Sequence, residues 1–123
     1  MKLHADTQTT LNTVTAYGPG FVEINRQRYD TSMLLMPEGL LAPWPVAGFE
    51  ALAPADFEAL LAHRPELVLL GTGERQRFPH PRLTAALTIA GIGVDTMNTA
   101  AACRTYNILM AEGRRVLAAL LQS

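Results

Sequence analysis

The sequence has little of several features that define whole classes of protein. Its 123 residues include a single cysteine, Cys103, so no internal disulfide can form and a disulfide-stapled secreted scaffold is excluded. Ten Lys and Arg against eleven Asp and Glu give a formal charge of -1, which offers no basic surface for nucleic acid or an acidic membrane. No apolar run approaches the roughly 20 residues of a membrane-crossing helix, so we expect no membrane insertion.

The opening residues and the chain length predict location and domain count. Met1–Asp6 has neither the apolar core of a secretory signal nor the acid-poor, basic composition of a mitochondrial transit peptide. Together with the lone cysteine, this predicts a cytoplasmic protein. We find no repeat, low-complexity linker or charge block, so we expect residues 1–123 to form one domain.

The first half of the chain is rich in strand-forming residues. β-Branched and aromatic residues in 11–17 and 21–24, on either side of Gly18-Pro-Gly20, predict two short strands. Ser32–Met36 predicts a further strand, which ends at Pro37. This half is therefore expected to be a β meander.

The second half changes to alternating strand and helix patterns. In chain order we expect a helix after Pro54, a strand over Leu67–Leu70, a helix from Pro81 to Gly91, a strand over Ile92–Thr96 and a helix from Asn98 to Gly113. This order indicates parallel strands joined by a crossover. Arg114–Leu121 stays open, because its Ala and Leu content favours a helix whereas its short apolar run suits a covered strand.

Leu67–Gly73 is the stretch most informative for function. A buried strand that opens into a tight, backbone-exposing turn is where α/β proteins place ligands. A second strand-to-helix junction, Gly93–Thr99, is expected to bring polar residues to the same sheet edge. We therefore predict a surface cleft with these candidate lining residues: Gly71, Thr72, Gly73, His80, Asp95, Thr96, Asn98, Arg104 and Asn107.

The roles of these residues leave alternatives open. Gly71 and Gly73 mimic a dinucleotide fingerprint, but Gln76 stands at its third glycine. Either the two glycines only allow the backbone to turn, or their N–H groups are also exposed to a ligand or partner. Asp95 contacts a ligand or supports the beginning of the next helix. Arg104 binds a carboxylate or phosphate, or it pairs with Asp95 or Glu112.

Patterns that would indicate catalysis are weak. Cys103 stands in an Ala-rich helix, where it suits a small buried hydrophobe better than a nucleophile. His4, His63 and His80 have no ligand spacing, so we predict no metal site and no cofactor. Tyr106 is expected to pack in the helix with its hydroxyl reaching a partner.

The chain also carries a set of segments that occur together elsewhere: Ser32–Pro37, Leu69–Gly73, Gly93–Met97, Ala101–Leu109 and Glu112–Arg115. Together they resemble a family of small single domains of unknown function that includes a mitochondrial respiratory complex I assembly factor and an adipogenesis-associated protein. The resemblance implies a compact three-layer α/β domain with a mixed sheet, an N-terminal β meander followed by β-α-β-α-β, and Arg114–Leu121 as a strand. It also implies a cleft lined by the Gly-Thr-Gly turn and by Asp95 through Asn107, with no accepted ligand.

Two functions are consistent with these observations. The first, which we favour, is a non-enzymatic, assembly-factor-like module that binds a protein partner and has an exposed apolar patch. The alternative is a protein that binds a small anionic metabolite, or a weak enzyme, in a closed pocket. There the amides of Gly71–Gly73 and the side chain of Arg104 would hold the anion while Asp95 or His80 handles a proton. Whether any reaction is catalysed stays undecided.

Overall fold

The computed structural model describes residues 11–122, which hold eight strands and three α-helices. The strands are β1 (Val14–Gly18), β2 (Phe21–Ile24), β3 (Gln27–Tyr29), β4 (Met33–Leu35), β5 (Leu41–Pro43), β6 (Leu67–Thr72), β7 (Gly93–Met97) and β8 (Val116–Leu121). The helices are α1 (Pro54–Glu58), α2 (Pro81–Ile89) and α3 (Thr99–Ala111), with 3₁₀ turns at Phe49–Ala51 and Ala59–His63. Met1–Thr10, on which the predicted location partly rests and which contains His4, and Ser123 lie outside the described residues.

The N-terminal meander is a three-stranded antiparallel sheet in the order β1-β2-β3. Gly20 joins its first two strands with a φ of 79°, the left-handed value that the third position of a type II turn requires after a proline. Asn25 and Arg26 form the next turn with φ of 55° and 70°, which suits a tight hairpin. That hairpin leads into β3, a short polar strand that the sequence patterns missed.

The second sheet is mixed and has five strands in the order β5-β4-β8-β6-β7. The hairpin β4–β5 belongs to this sheet rather than to the meander, and β6 runs parallel to both β7 and β8. All six residues of β8 are buried, and the strand pairs with β4 and β6. Because both faces of β8 are covered, its sequence is a continuous apolar run rather than an alternating one. The strand implied by the family resemblance is confirmed, and the helical propensity of this segment does not decide its structure.

The five-stranded sheet is the middle of three layers. One face packs against α1, α2 and the 3₁₀ turns, with Val68, Leu70, Phe57 and Leu87 in that core. Leu69 lies between Val68 and Leu70 in β6 and points to the other face. That face packs against α3 and the meander. The predicted three-layer α/β domain with a mixed sheet is confirmed.

Candidate functional site

The two strand-to-helix turns lie side by side at one edge of the large sheet. β6 and β7 are parallel neighbours, and Gly71 lies opposite Met97. The Thr99 N–H donates to the Gly73 carbonyl at 2.8 Å, and the Gly73 N–H donates to Thr99 Oγ1, also at 2.8 Å. The carboxyl ends of parallel strands meet at one edge of a sheet, so this contact joins residues that are 26 positions apart in the chain.

The glycines of this turn are needed for close packing and for backbone conformation. A Cβ on Gly71 would lie 3.0 Å from both Cα and Oγ1 of Thr99 and 3.2 Å from Cδ2 of Leu120. Gly73 has a φ of 91°, which side-chain-bearing residues rarely adopt. The amide of Gly73 is not bare, since Thr99 Oγ1 accepts its proton and donates its own to the Leu121 carbonyl at 2.7 Å.

A groove of about 450 Å³ opens beside this junction. We call it the main groove; its walls are Tyr17–Gly20, Gly73–Glu74, Asn98–Ala100 and Leu121–Gln122. Two of the nine predicted residues, Gly73 and Asn98, belong to these walls. The meander supplies the wall that sequence reasoning missed. The Gly-Pro-Gly signal marked its turn, but no local pattern indicated that this turn would face residues some 80 positions away.

An exposed tyrosine stands at the rim of the main groove and contacts a predicted residue. Tyr17 is 37% exposed, and Arg104 Nη1 donates to its hydroxyl at 3.0 Å. The Arg104 guanidinium carbon lies 5.9 Å from the centroid of the Tyr17 ring, within reach of a cation–π interaction. Within residues 11–122, Arg104 forms no ion pair with Asp95 or Glu112, which was one of the two roles considered for it. It positions the tyrosine instead.

Asn107 fixes the strand that carries this tyrosine. Its Oδ1 accepts from the Val14 N–H at 3.0 Å, and its Nδ2 donates to the Val14 carbonyl at 2.8 Å. The side-chain amide thus pairs with β1 as a neighbouring strand would. Asn107 was predicted to line the cleft, but it attaches the meander to α3 instead.

Two further predicted residues organise the loop after β6. Thr72 is buried, and its hydroxyl donates to the Arg75 carbonyl at 2.6 Å and accepts from the Arg77 N–H at 3.1 Å. The carbonyl of Thr96 accepts from Gln76 Nε2 at 2.8 Å. Both residues therefore hold the loop against the sheet, and neither borders the main groove.

The remaining predictions concern helix ends. His80 is exposed, and its Nδ1 accepts from the Arg82 N–H at 3.0 Å where α2 begins. Asn98 caps α3 by accepting from the Ala101 N–H at 2.8 Å. Asp95 is exposed on β7, outside the walls of the main groove. The helix beginning that Asp95 could have supported is capped by Asn98.

The groups with the strongest pKa shifts lie in the core. Burial raises the pKa of the Cys103 thiol to about 12, so at neutral pH it is protonated and unreactive. Burial also raises the pKa of Tyr106, whose hydroxyl donates to the Asn12 carbonyl at 2.7 Å as expected of a packed tyrosine. Within residues 11–122, no three His, Cys, Asp or Glu side chains are grouped as a metal site would require. None of the helices described has the length and hydropathy needed to span a bilayer.

A family model described as "Protein of unknown function (DUF498/DUF598)" matches residues 14–121. The chain belongs to this family. The match runs from the beginning of β1 to the end of β8, so it includes every wall of the main groove except Gln122.

Individual relatives extend this comparison. The chain is 37% identical to an uncharacterized protein of Rhodobacter capsulatus over 88% of its own length and 82% of the relative. It is 34% identical to the bovine NADH dehydrogenase [ubiquinone] 1 alpha subcomplex assembly factor 3 over 83% of its length, and it spans 55% of that protein. A crystal structure of a Bordetella parapertussis protein superposes with a TM-score of 0.86 at 45% identity, covering 93% of this chain and 98% of that one.

Proposed function

We propose that this domain is a non-enzymatic interaction module that holds a segment of a partner protein in the main groove during assembly of a multi-subunit respiratory or membrane complex. The observation that carries the proposal is the groove of about 450 Å³ beside an exposed Tyr17 that Arg104 holds in place. The name of the bovine relative, an assembly factor, supports the same class of function.

Tyr17 has the properties of a binding anchor. Tyrosine is enriched among the residues that carry most of the energy of protein interfaces, because it offers a large amphipathic surface with few rotatable bonds. Its contact with Arg104 restricts the ring before any partner arrives, which reduces the entropy lost on binding. Ile108, one helical turn after Arg104 on α3, is 59% exposed on the same side of the helix and lies outside the walls of the main groove.

Two other apolar side chains are more exposed than Tyr17, but they do not border the main groove. Phe78 is 75% exposed in the loop before α2, and Ile89 is 86% exposed near the end of that helix. Single exposed apolar residues are common on soluble proteins and need no partner. They serve better as control positions than as candidate contacts.

The charges around the main groove favour a protein segment over an anionic metabolite. Among the described residues of its walls, Glu74 is the charged one, and a carboxylate repels an anion. The Gly73 amide donates to Thr99, so one group expected to hold an anion is already engaged. Arg104 donates one N–H to Tyr17 and lies outside the walls of the main groove.

The side chains first considered for catalysis support a non-enzymatic role. Cys103 is buried with a pKa of about 12, and His80 caps α2 outside the main groove. We propose a cytoplasmic location, which a single cysteine without an internal disulfide fits. Fractionation of the native host should recover it with cytosolic markers, and recovery with periplasmic or membrane markers would contradict that location.

Filling the main groove tests the function. Ala100 lines the groove near the beginning of α3, whereas Ala111 is exposed at the other end of the same helix. We expect tagged Ala100→Trp to lose the protein that co-purifies with the wild type from native lysate, and Ala111→Trp to retain it. Mass spectrometry should identify the captured protein as a subunit or assembly intermediate of a multi-subunit complex. Equal capture by both variants would refute the proposed groove.

A further inference from the structure

A second recess of about 670 Å³ adjoins the main groove and shares two of its walls, Gly20 and Gln122. Its other walls are Asp30–Ser32 and Pro43–Ala47. We call the two recesses together the extended groove. It reaches from the beginning of α3, past the Gly-Pro-Gly turn, to the segment that follows β5.

Gln122 stands where the two recesses meet, and its side-chain nitrogen has no partner among the described residues. Its backbone N–H donates to Ser32 Oγ at 3.2 Å, which fixes the residue after β8. Its Nε2 is buried and has no hydrogen-bond acceptor among residues 11–122. Folded proteins pair nearly all buried donors, so an unpaired amide in the shared wall of two recesses points to an oxygen supplied by a ligand.

The charge of the extended groove is acidic. Glu74 lines the first recess and Asp30 the second, and both are exposed. Among the described residues, none that lines either recess is Lys, Arg or His, and Arg104, which donates to Tyr17 at the rim, lies outside both linings. A complementary ligand therefore carries positive charge near these carboxylates and no charge at Gln122.

The shape of the walls suits an extended backbone. Gly20 presents no side chain, and a Cβ there would meet nothing within 4 Å, so a ligand can approach the main chain at this point. Pro43 and Pro45 flank the second recess and restrict its wall to an extended course. A bound peptide in extended form exposes a carbonyl at every residue, and one of these can accept from Gln122.

We infer that the extended groove binds an extended peptide segment with an uncharged centre, whose carbonyl accepts from Gln122 Nε2, and with Lys or Arg flanking that centre near Glu74 and Asp30. The inference rests on the proposed function, because it names the chemical class of the partner segment. It assigns Gln122 as the residue that selects the register of that segment.

Selection from a random peptide library tests the inference. Phage-displayed octapeptides are selected on the intact protein, and fluorescence anisotropy then measures the affinity of synthetic copies. We expect the selected peptides to carry Lys or Arg on both sides of an uncharged stretch. Gln122→Met keeps the shape but removes the donor, so it should weaken binding about tenfold. Glu74→Lys and Asp30→Lys should each weaken it about two- to fivefold, and less so at high salt.

Matched controls separate binding from stability. Gln27→Met makes the same substitution at an exposed position of β3 outside both recesses, and it should leave peptide affinity unchanged. Because the Gln122 amide is unpaired in the free protein, Gln122→Met should leave the Tm unchanged or raise it. A lower Tm for Gln122→Met would show that the amide already has a partner, and it would overturn the inference.

The remaining outcomes distinguish this inference from the proposed function. Absence of enriched peptides, enrichment of acidic peptides, or equal affinity of Gln122→Met and the wild type would each refute the inference. If Ala100→Trp still abolished capture of the native partner in these cases, the proposed function would stand. If Ala100→Trp also retained the native partner, both would fail.

Discussion

Two glycine-containing turns border the main groove, and the protein holds them in different ways. The inner turn, Gly71–Gly73, is packed against Thr99: Gly73 accepts from the Thr99 N–H and donates to the Thr99 hydroxyl, and there is no space for a Cβ on Gly71. The outer turn, Gly18–Gly20, is more exposed: a Cβ on Gly20 would meet nothing within 4 Å, and one on Gly18 would meet the Phe21 side chain at 2.6 Å rather than another backbone. The outer turn is attached to α3 through side chains of its strand, by Asn107 at Val14 and by Arg104 at Tyr17.

The difference shows that glycine serves separate ends in the two turns. In the inner turn glycine allows two backbones to approach, so substitutions there should reduce stability. In the outer turn glycine and proline shape a surface, so changes around it should alter binding while the fold persists. Similar composition therefore does not imply a similar role.

Removing the hydroxyl of Thr99 should have the largest effect on stability. Thr99→Val leaves the Gly73 N–H and the Leu121 carbonyl without the hydroxyl that pairs with them. Each unpaired, partly buried group is expected to reduce stability by about 1–3 kcal/mol. We expect the free energy of unfolding in urea to fall by about 3 kcal/mol. Thr99→Ser keeps the hydroxyl and is the control. Equal stability of the two variants would show that this hydroxyl does not hold the inner turn.

Adding one methyl group to the inner turn should have the next largest effect. Gly71→Ala places its Cβ 3.0 Å from the Thr99 backbone, and such overpacking reduces stability by about 1–3 kcal/mol. Gly93→Ala is the matched control, because its Cβ would meet nothing within 4 Å. Urea denaturation should separate the two variants. If the free energies of unfolding of the two variants differed by less than about 0.5 kcal/mol, the turn would accommodate the methyl group by a small backbone shift.

Arg104→Ala should reverse the pattern, with little change in stability and a clear change in binding. Its contact with Tyr17 is exposed, so its loss should reduce the free energy of unfolding by at most about 1 kcal/mol. Capture of the native partner should weaken because the tyrosine is no longer held. Arg82→Ala, at an exposed position of α2, is the control. Undiminished capture by Arg104→Ala would remove Tyr17 from the proposed contact surface.

Substitution of Glu66, which precedes β6 at the end opposite the main groove, should have the smallest effect. It should change only the pH dependence of stability. The Arg115 N–H donates to Glu66 Oε1 at 2.9 Å, and this bond, followed by that from Arg114, lowers the pKa of Glu66 below 4.5. Its contribution to stability is therefore present above that unfolded value and is lost as pH falls through the lower folded pKa. Glu66→Gln should flatten the decrease in stability below pH 4.5 without altering partner capture. If the free energy of unfolding of the wild type and of Glu66→Gln decreased equally below pH 4.5, Glu66 would not contribute to this pH dependence.

Local signals in the sequence predicted the second half of the fold well. Asn98 has the side chain of a helix cap and occupies that position, and Gly91 and Gly113 end their helices with positive φ. β8 was ambiguous because a strand buried on both faces has no alternation to distinguish it from a helix. β3 was missed because its Gln-Arg-Tyr sequence is polar and only three residues long.

The candidate site was predictable only where it depends on local order. Strand and helix alternation placed Gly73 and Asn98 at one sheet edge, since parallel neighbours bring their carboxyl ends together. The roles of Tyr17 and Gln122 depend on how the meander and the last strand pack against α3. Such contacts between distant parts of a chain leave no periodic signal in the sequence.

Hydrogen exchange of the full chain with and without its captured partner tests the central claim most directly. We predict slower exchange at the amides of Gly18 and Gly20 in the outer turn and of Glu74 and Ala100 across the main groove. Exchange around Ile89 on α2 should not change. Protection confined to α2 and the exposed Phe78, with unaltered exchange at the outer turn, would contradict the account.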